Sequence, residues 1–162
     1  MPEIAITHSS SRIKQRSGIE ALQESMTDLI ERGEIPQTIW DGGTKEGDAQ
    51  CQHAFGDGVY CRSLLIPAGT CVVGKIHKQD RVVIIAQGRC RFVDEYHEGT
   101  VEAPWMGEFR KGSKTAVFAE TDTVWVACVA TDSKDSRTAF DELTVGDHET
   151  YWALLEAREE AE

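Results

Sequence analysis

The sequence predicts a mainly β protein: one small barrel or sandwich with a helix at each end. Three observations carry this. From Gly58 to Thr131 the chain is dense in β-branched and aromatic residues, with turn signals about every ten residues. No helical period interrupts that stretch, which argues against a βαβ fold. Apolar residues recur at helical spacing only near the two ends. At 162 residues, one compact domain has enough chain to bury a core.

The elements follow in order. Residues 1–57 form an N-terminal helix and a wrapping segment. Ser17-Gly18-Ile19-Glu20 fits a capping box, with Ser17 as N-cap and Glu20 reaching back to its amide. Ile19, Leu22, Met26, Leu29 and Ile30 continue at helical spacing, and Gly33 supplies the stop. Pro36, Gly42-Gly43 and Gly47 then mark a turn-rich surface wrap. Residues 58–131 are the barrel, punctuated at Pro67-Ala68-Gly69, Lys78-Gln79-Asp80, Gly88, Glu98-Gly99, Gly107 and Gly112. Residues 132–162 form a C-terminal segment and helix. Asp147 is its expected cap, and Tyr151, Trp152, Leu154 and Leu155 are its apolar stripe. The acidic tail reads as a solvated end.

Composition excludes several function classes. The net charge of −11 disfavours nucleic acid and anionic membranes as general partners, because both select for Lys and Arg. The longest apolar runs, Val82 to Ala86 and Val124 to Ala130, are too short to span a bilayer. The N-terminal text lacks the apolar core of a secretory signal, so a cytoplasmic location is expected, or the particle itself for a virion component. The chain has no Asn and therefore no N-glycosylation acceptor. Its five cysteines form no CxxC pair, and several sit in apolar text, where a free thiol acts as a small hydrophobe.

The stretch Tyr60 to Gly88 carries a recognisable frame. Gly69 is followed by five residues, then Lys75-Ile76-His77, three residues, Arg81, six residues and Gly88. A second frame places Thr115 three residues after Gly112. These intervals resemble the two motifs of the cupin superfamily over roughly residues 53–131. The first cupin motif runs glycine, His-x-His, Glu, glycine; the second adds a further His. The finer texture, Val59-Tyr60-Cys61-Arg62 leading to Ile66-Pro67-Ala68-Gly69-Thr70, is similar to small cupin-like proteins of tailed bacteriophages. The resemblance implies a single cupin-type jelly-roll β-barrel with flanking N- and C-terminal α-helices. Of the expected metal ligands only His77 is kept. Lys75, Arg81 and Thr115 stand at the other positions, Arg110 replaces the usual proline and Ala119 the usual asparagine.

One imidazole is too few donors for a metal, and two neighbouring cations repel a divalent ion. No metal and no cofactor are therefore expected. Lys75 and His77 share strand parity. If Lys75, His77 and Arg81 point inward they form a positive pocket suited to a carboxylate, phosphate or sulfate. Otherwise Lys75 and Arg81 reach the rim, or pair with Asp80, Glu95 or Glu108, and His77 is a structural histidine. Arg62 shares a face with Tyr60, Leu64 and Ile66. It is either a second anchor for an anion or the partner of an internal carboxylate such as Glu120 or Asp122.

Other constellations are set aside. Residues 107–115 nearly spell a P-loop, but strand-like text follows where a phosphate-binding helix must start. Cys90 and His97 have nothing to bring them together. His8, His53 and His148 read as surface or capping residues, and Asp94-Glu95 with Glu98 as a solvated face. Trp125 reads as core, and Trp105 beside Pro104 as an exposed contact for a partner or sugar.

Three function classes remain. The first is a non-catalytic structural or interaction protein, phage-encoded and virion-associated, working as a homodimer or higher symmetric oligomer with virion protein partners. The second is an anion- or sugar-binding cupin using Lys75, His77, Arg81 and Arg62. The third is an enzyme: a metal-dependent isomerase or oxygenase with an unorthodox site, or a metal-free acid/base catalyst built on His77.

Overall fold

Two five-stranded antiparallel sheets close on a shared apolar core. The computed structural model describes residues 4–6, 9–35 and 51–161. In chain order the elements are β1 (Ile4–Ile6), α1 (Ser9–Glu31), β2 (Cys51–Gly56), β3 (Val59–Ile66), β4 (Cys71–Val73), β5 (Ile76–His77), β6 (Arg81–Gln87), β7 (Arg89–Val93), β8 (His97–Glu102), β9 (Trp105–Phe109), β10 (Ala116–Ala119), β11 (Thr123–Ala130), α2 (Ser136–Leu143), β12 (Thr144–Val145) and α3 (His148–Glu159). The first sheet runs β1-β8-β7-β10-β4 and the second β2-β3-β11-β6-β9. The chain passes between the two sheets after β1, β3, β6, β8, β9 and β10, and from β4 to β6 by way of β5 in the small β5–β12 pair, the double-sheet arrangement of a jelly roll. The fold is thus mainly β, with flanking helices. His8, Trp40 and the turn-rich stretch 36–50 lie outside the described residues.

Strand alternation places the core. Leu64, Ile66, Val83, Ile85 and Trp125 of one sheet meet Cys90, Phe92, Val101 and Val117 of the other. Phe92 and Phe109 are tilted against each other and each meets Trp125 edge to face, with centroids 5.2 to 6.4 Å apart. Trp105 belongs to this cluster, tilted 6.0 Å from Phe92, so it is a packing residue rather than an exposed contact. A smaller cluster of Tyr60, Val129, Ala139 and Leu143 fills the end where α2 docks.

The motif glycines are used for their backbone. Gly69, Gly88 and Gly112 all have positive φ, between 77° and 82°. At Gly88 a side chain would also collide with the Asp122 carbonyl. This is why the motif intervals are legible when the ligands are gone: the turns still require them.

The helices depart from the sequence reading in three ways. α1 begins at Ser9, so Ser17 is interior and not its cap. The polar text before Ser17 has no apolar period to reveal it. The stop at Gly33 holds, with φ of 72° and closing bonds to Ile30 and Leu29 carbonyls. α2 was not foreseen, although Asp135 caps it by accepting from Thr138 N at 2.9 Å. α3 starts where expected, on Asp147, which accepts from Thr150 N at 2.7 Å.

The terminal helices are tied to the barrel through polar groups that looked like surface. Asp94 and Glu95 are buried, not a solvated face. Asp94 accepts from the amides of Tyr96 and His97, both at 2.7 Å, and burial pushes its carboxyl up. Glu95 accepts from Lys114 N at 2.9 Å and lies 2.7 Å from His148 Nε2. His148 is buried and its Nδ1 contacts Glu20 of α1 at 2.9 Å. One imidazole therefore joins α1, α3 and the β7–β8 connection.

Candidate functional site

A cavity of about 110 Å³ lies between the two apolar clusters. β3 supplies Tyr60 and Arg62, and β11 supplies Ala127 and Val129. The crossing after β4 supplies Lys75, β5 supplies His77, and β6 begins with Arg81. Thr115 precedes β10 and also lines it. The four positions of the two motif frames, Lys75, His77, Arg81 and Thr115, thus come together in space, and Arg62 joins them. No Asp or Glu is among the described residues lining the cavity.

Arg81 is the most constrained of the set. It is 5% exposed, with its guanidinium bonded to Ser113 Oγ at 3.2 Å and Thr115 Oγ1 at 2.9 Å. Its head lies 5.2 Å from the Phe109 ring centre. Burial brings its pKa down to about 10, opposed by the more distant Asp94, Glu95 and Asp80. It stays charged at neutral pH, yet among the described residues no carboxylate pairs with it directly. Its partners are two hydroxyls and an aromatic face, which are weak compensation for a buried cation.

His77 is neutral. Burial, then the charges of Arg81 and Arg62, hold its pKa well below the usual 6.5. Its Nδ1 is buried with no hydrogen-bond partner. An imidazole in this state offers one donor and one acceptor to whatever enters. Its backbone is fixed: Gly112 N donates to the His77 carbonyl at 2.8 Å, and Thr144 of β12 pairs against it.

α2 closes the cavity. Phe140 and Leu143 project into it, and Lys78 N donates to the Leu143 carbonyl at 2.8 Å. Arg62 Cζ and Lys75 Nζ each lie 4.9 Å from the Phe140 ring centre. Arg62 Nε also donates to Cys51 Sγ at 3.2 Å. The internal carboxylate considered for Arg62 is otherwise engaged: Glu120 pairs with Arg89 and Arg91, and Asp122 caps Ala68 N. Lys75 is exposed and reaches the ring from the rim. Tyr60 OH lies 2.7 Å from His53 Nδ1, and burial pushes its pKa up to about 12.

The metal that cupin barrels hold does not fit here. Among the described residues no three His, Cys, Asp or Glu side chains converge. The motif positions present an imidazole, an ammonium, a guanidinium and a hydroxyl, a donor set that repels divalent cations. Residues 107–115 form a strand and a turn, not the loop-to-helix junction of a P-loop. The α2 residues were not foreseen as part of the site. The signal was present as Asp135, then Ala139, Phe140 and Leu143 on one face, but too short to stand out.

No protein-family model and no curated protein matches the chain. Solved structures with similar architecture include ectoine synthase from P. lautus, at 16% identity and a TM-score of 0.48, covering 59% of this chain and 72% of that one. KdgF from Halomonas sp. is 11% identical with a TM-score of 0.45, covering 56% and 89%. A cupin-2 domain protein from Shewanella frigidimarina is 12% identical with a TM-score of 0.43, covering 62% and 98%. Likenesses this distant transfer no activity. By its own strand order and the convergence of its motif positions, the chain has a cupin-type jelly-roll barrel in which cations stand where ligands would be.

Proposed function

We propose that this protein is a non-catalytic barrel that binds a small anion. One observation carries the reading: three cations and a neutral histidine line a cavity with no carboxylate among its described lining residues, in a chain of net charge −11. Asp94, Glu95 and Asp80 act on Arg81 only from outside the lining, so the cations leave room for an anion within it. The size limits the ligand. A volume of about 110 Å³ falls below the roughly 300 Å³ where drug-sized ligand sites begin. It suits an inorganic oxyanion or a short carboxylate, held by Arg81 and Arg62, with Lys75 at the rim and His77 completing the shell.

The test is titration calorimetry with phosphate, sulfate and short carboxylates on the wild type and on Lys75→Met/Arg81→Met. Binding is expected in the wild type, with at least a tenfold loss in the variant. Equal affinity in both would sink the proposal. A ligand at one hundred times its Kd should also stabilise the wild type by about 2.7 kcal/mol.

A second reading is a structural or interaction protein, phage-encoded and virion-associated, assembling as a homodimer. Apolar side chains on the terminal helices support it. Ile13 is 68% exposed on α1, while Trp152 and Leu154 on α3 are 43% and 40% exposed.

A further inference from the structure

The outer face of the second sheet holds two thiols that no sequence spacing announces. Cys61 on β3 and Cys128 on β11 stand directly opposite each other in the antiparallel register. Their sulfurs are 2.6 Å apart. Both are partly exposed, whereas Cys51 and Cys90 are buried. Cα atoms directly opposite in an antiparallel pair are about 4.5–5.5 Å apart, inside the 4.4–6.8 Å span of disulfides. The pairing runs unbroken from Val59 to Ile66, so the two side chains need no strand movement to meet.

We infer that Cys61 and Cys128 form a dithiol that closes to a cross-strand disulfide by exchange with a low-molecular-weight disulfide. The Cys61 thiolate attacks one sulfur of the small disulfide. A mixed disulfide forms, the small molecule's own S–S bond breaks, and the first small thiolate leaves. The Cys128 thiol gives up its proton to that thiolate and attacks the Cys61 sulfur, expelling the second small thiolate. The protein loses two electrons and two protons, and the small disulfide is reduced to two thiols. The exchange balances equally with the two thiols in the opposite order, since the register sets them face to face.

The place of the bond gives it meaning. It joins the central strand β11 to its neighbour β3 behind Arg62, Ala127 and Val129, which line the cavity from the other face. The loop it closes contains Lys75, His77, Arg81 and Thr115. This site stands whether or not the cavity binds an anion.

The experiment uses the reduced full-length protein, with glutathione disulfide as probe at mildly alkaline pH. Free thiols are then alkylated under denaturing conditions and the peptides mapped by mass spectrometry. The expected product loses two of five thiols and contains one dominant cross-link, Cys61 to Cys128. Cys128→Ser is expected to stop at a glutathione adduct on Cys61. The oxidised wild type should also unfold at higher urea than the reduced form. Five alkylated thiols, scrambled pairings or a persistent adduct in the wild type would each overturn the inference. The wild-type map decides the matter even if the variant fails to fold.

Discussion

At the residue scale, the cavity concentrates costs that only a ligand would offset. Arg81 is buried on two hydroxyls, so its charge contributes little to stability. Arg81→Met alone is expected to be neutral or stabilising by up to about 3 kcal/mol in urea unfolding. A loss beyond about 2 kcal/mol would mean the guanidinium holds the barrel together. His77 has a folded pKa below its ordinary value of 6.5. The unfolded state therefore binds the extra proton first as pH falls. Stability is full above about pH 6.5 and is lost as pH drops through the folded pKa, at up to about 1.4 kcal/mol per unit for one proton. The wild type should lose stability relative to His77→Gln in that window, and a pH-independent difference would exclude this titration. A bound anion favours the imidazolium, so sulfate, whose charge is constant here, should bind more tightly as pH falls.

At the element scale, short pieces decide the site. α2 is a plug whose Phe140 faces two cations and whose Leu143 completes the apolar end. Phe140→Ala is expected to cost about 3–5 kcal/mol and to speed ligand exchange, read by urea unfolding and stopped-flow release. The turn at Gly88 is the strictest backbone position: its φ is 82° and a side chain would strike the Asp122 carbonyl. Gly88→Ala should cost at least about 2 kcal/mol. A melt that leaves it near wild type would show that the β6–β7 turn can shift.

At the scale of the whole molecule, the sheets, plug and terminal helices meet around two polar centres. One is the cationic cavity. The other is His148, held between Glu20 and Glu95, which fastens both terminal helices to the barrel. Among the described residues no helix is long and apolar enough to cross a membrane. Light scattering at micromolar concentration tests the exposed Ile13, Trp152 and Leu154 as a self-association surface. A dimer mass is expected, and Trp152→Lys should shift it to monomer; a monomeric wild type would count against the surface.

The sequence by itself determined the fold class, the turn glycines and which motif positions converge. Local rules impose these: alternation sets strand faces, and positive φ demands glycine at Gly69, Gly88 and Gly112. It also grouped Lys75, His77 and Arg81, because motif spacing is a property of the barrel, and offered Arg62 from the alternation of its own strand. Tertiary structure alone decided what that group meets. Whether Arg81 found a carboxylate or a hydroxyl depended on loops more than thirty residues away at Ser113 and Thr115. The same holds for burial of Asp94, Glu95 and His148, for the plug of α2, and for Cys61 opposite Cys128 across 67 residues of chain. Each depends on strand register between distant segments, and register comes from packing the whole core, not from any local run of residues.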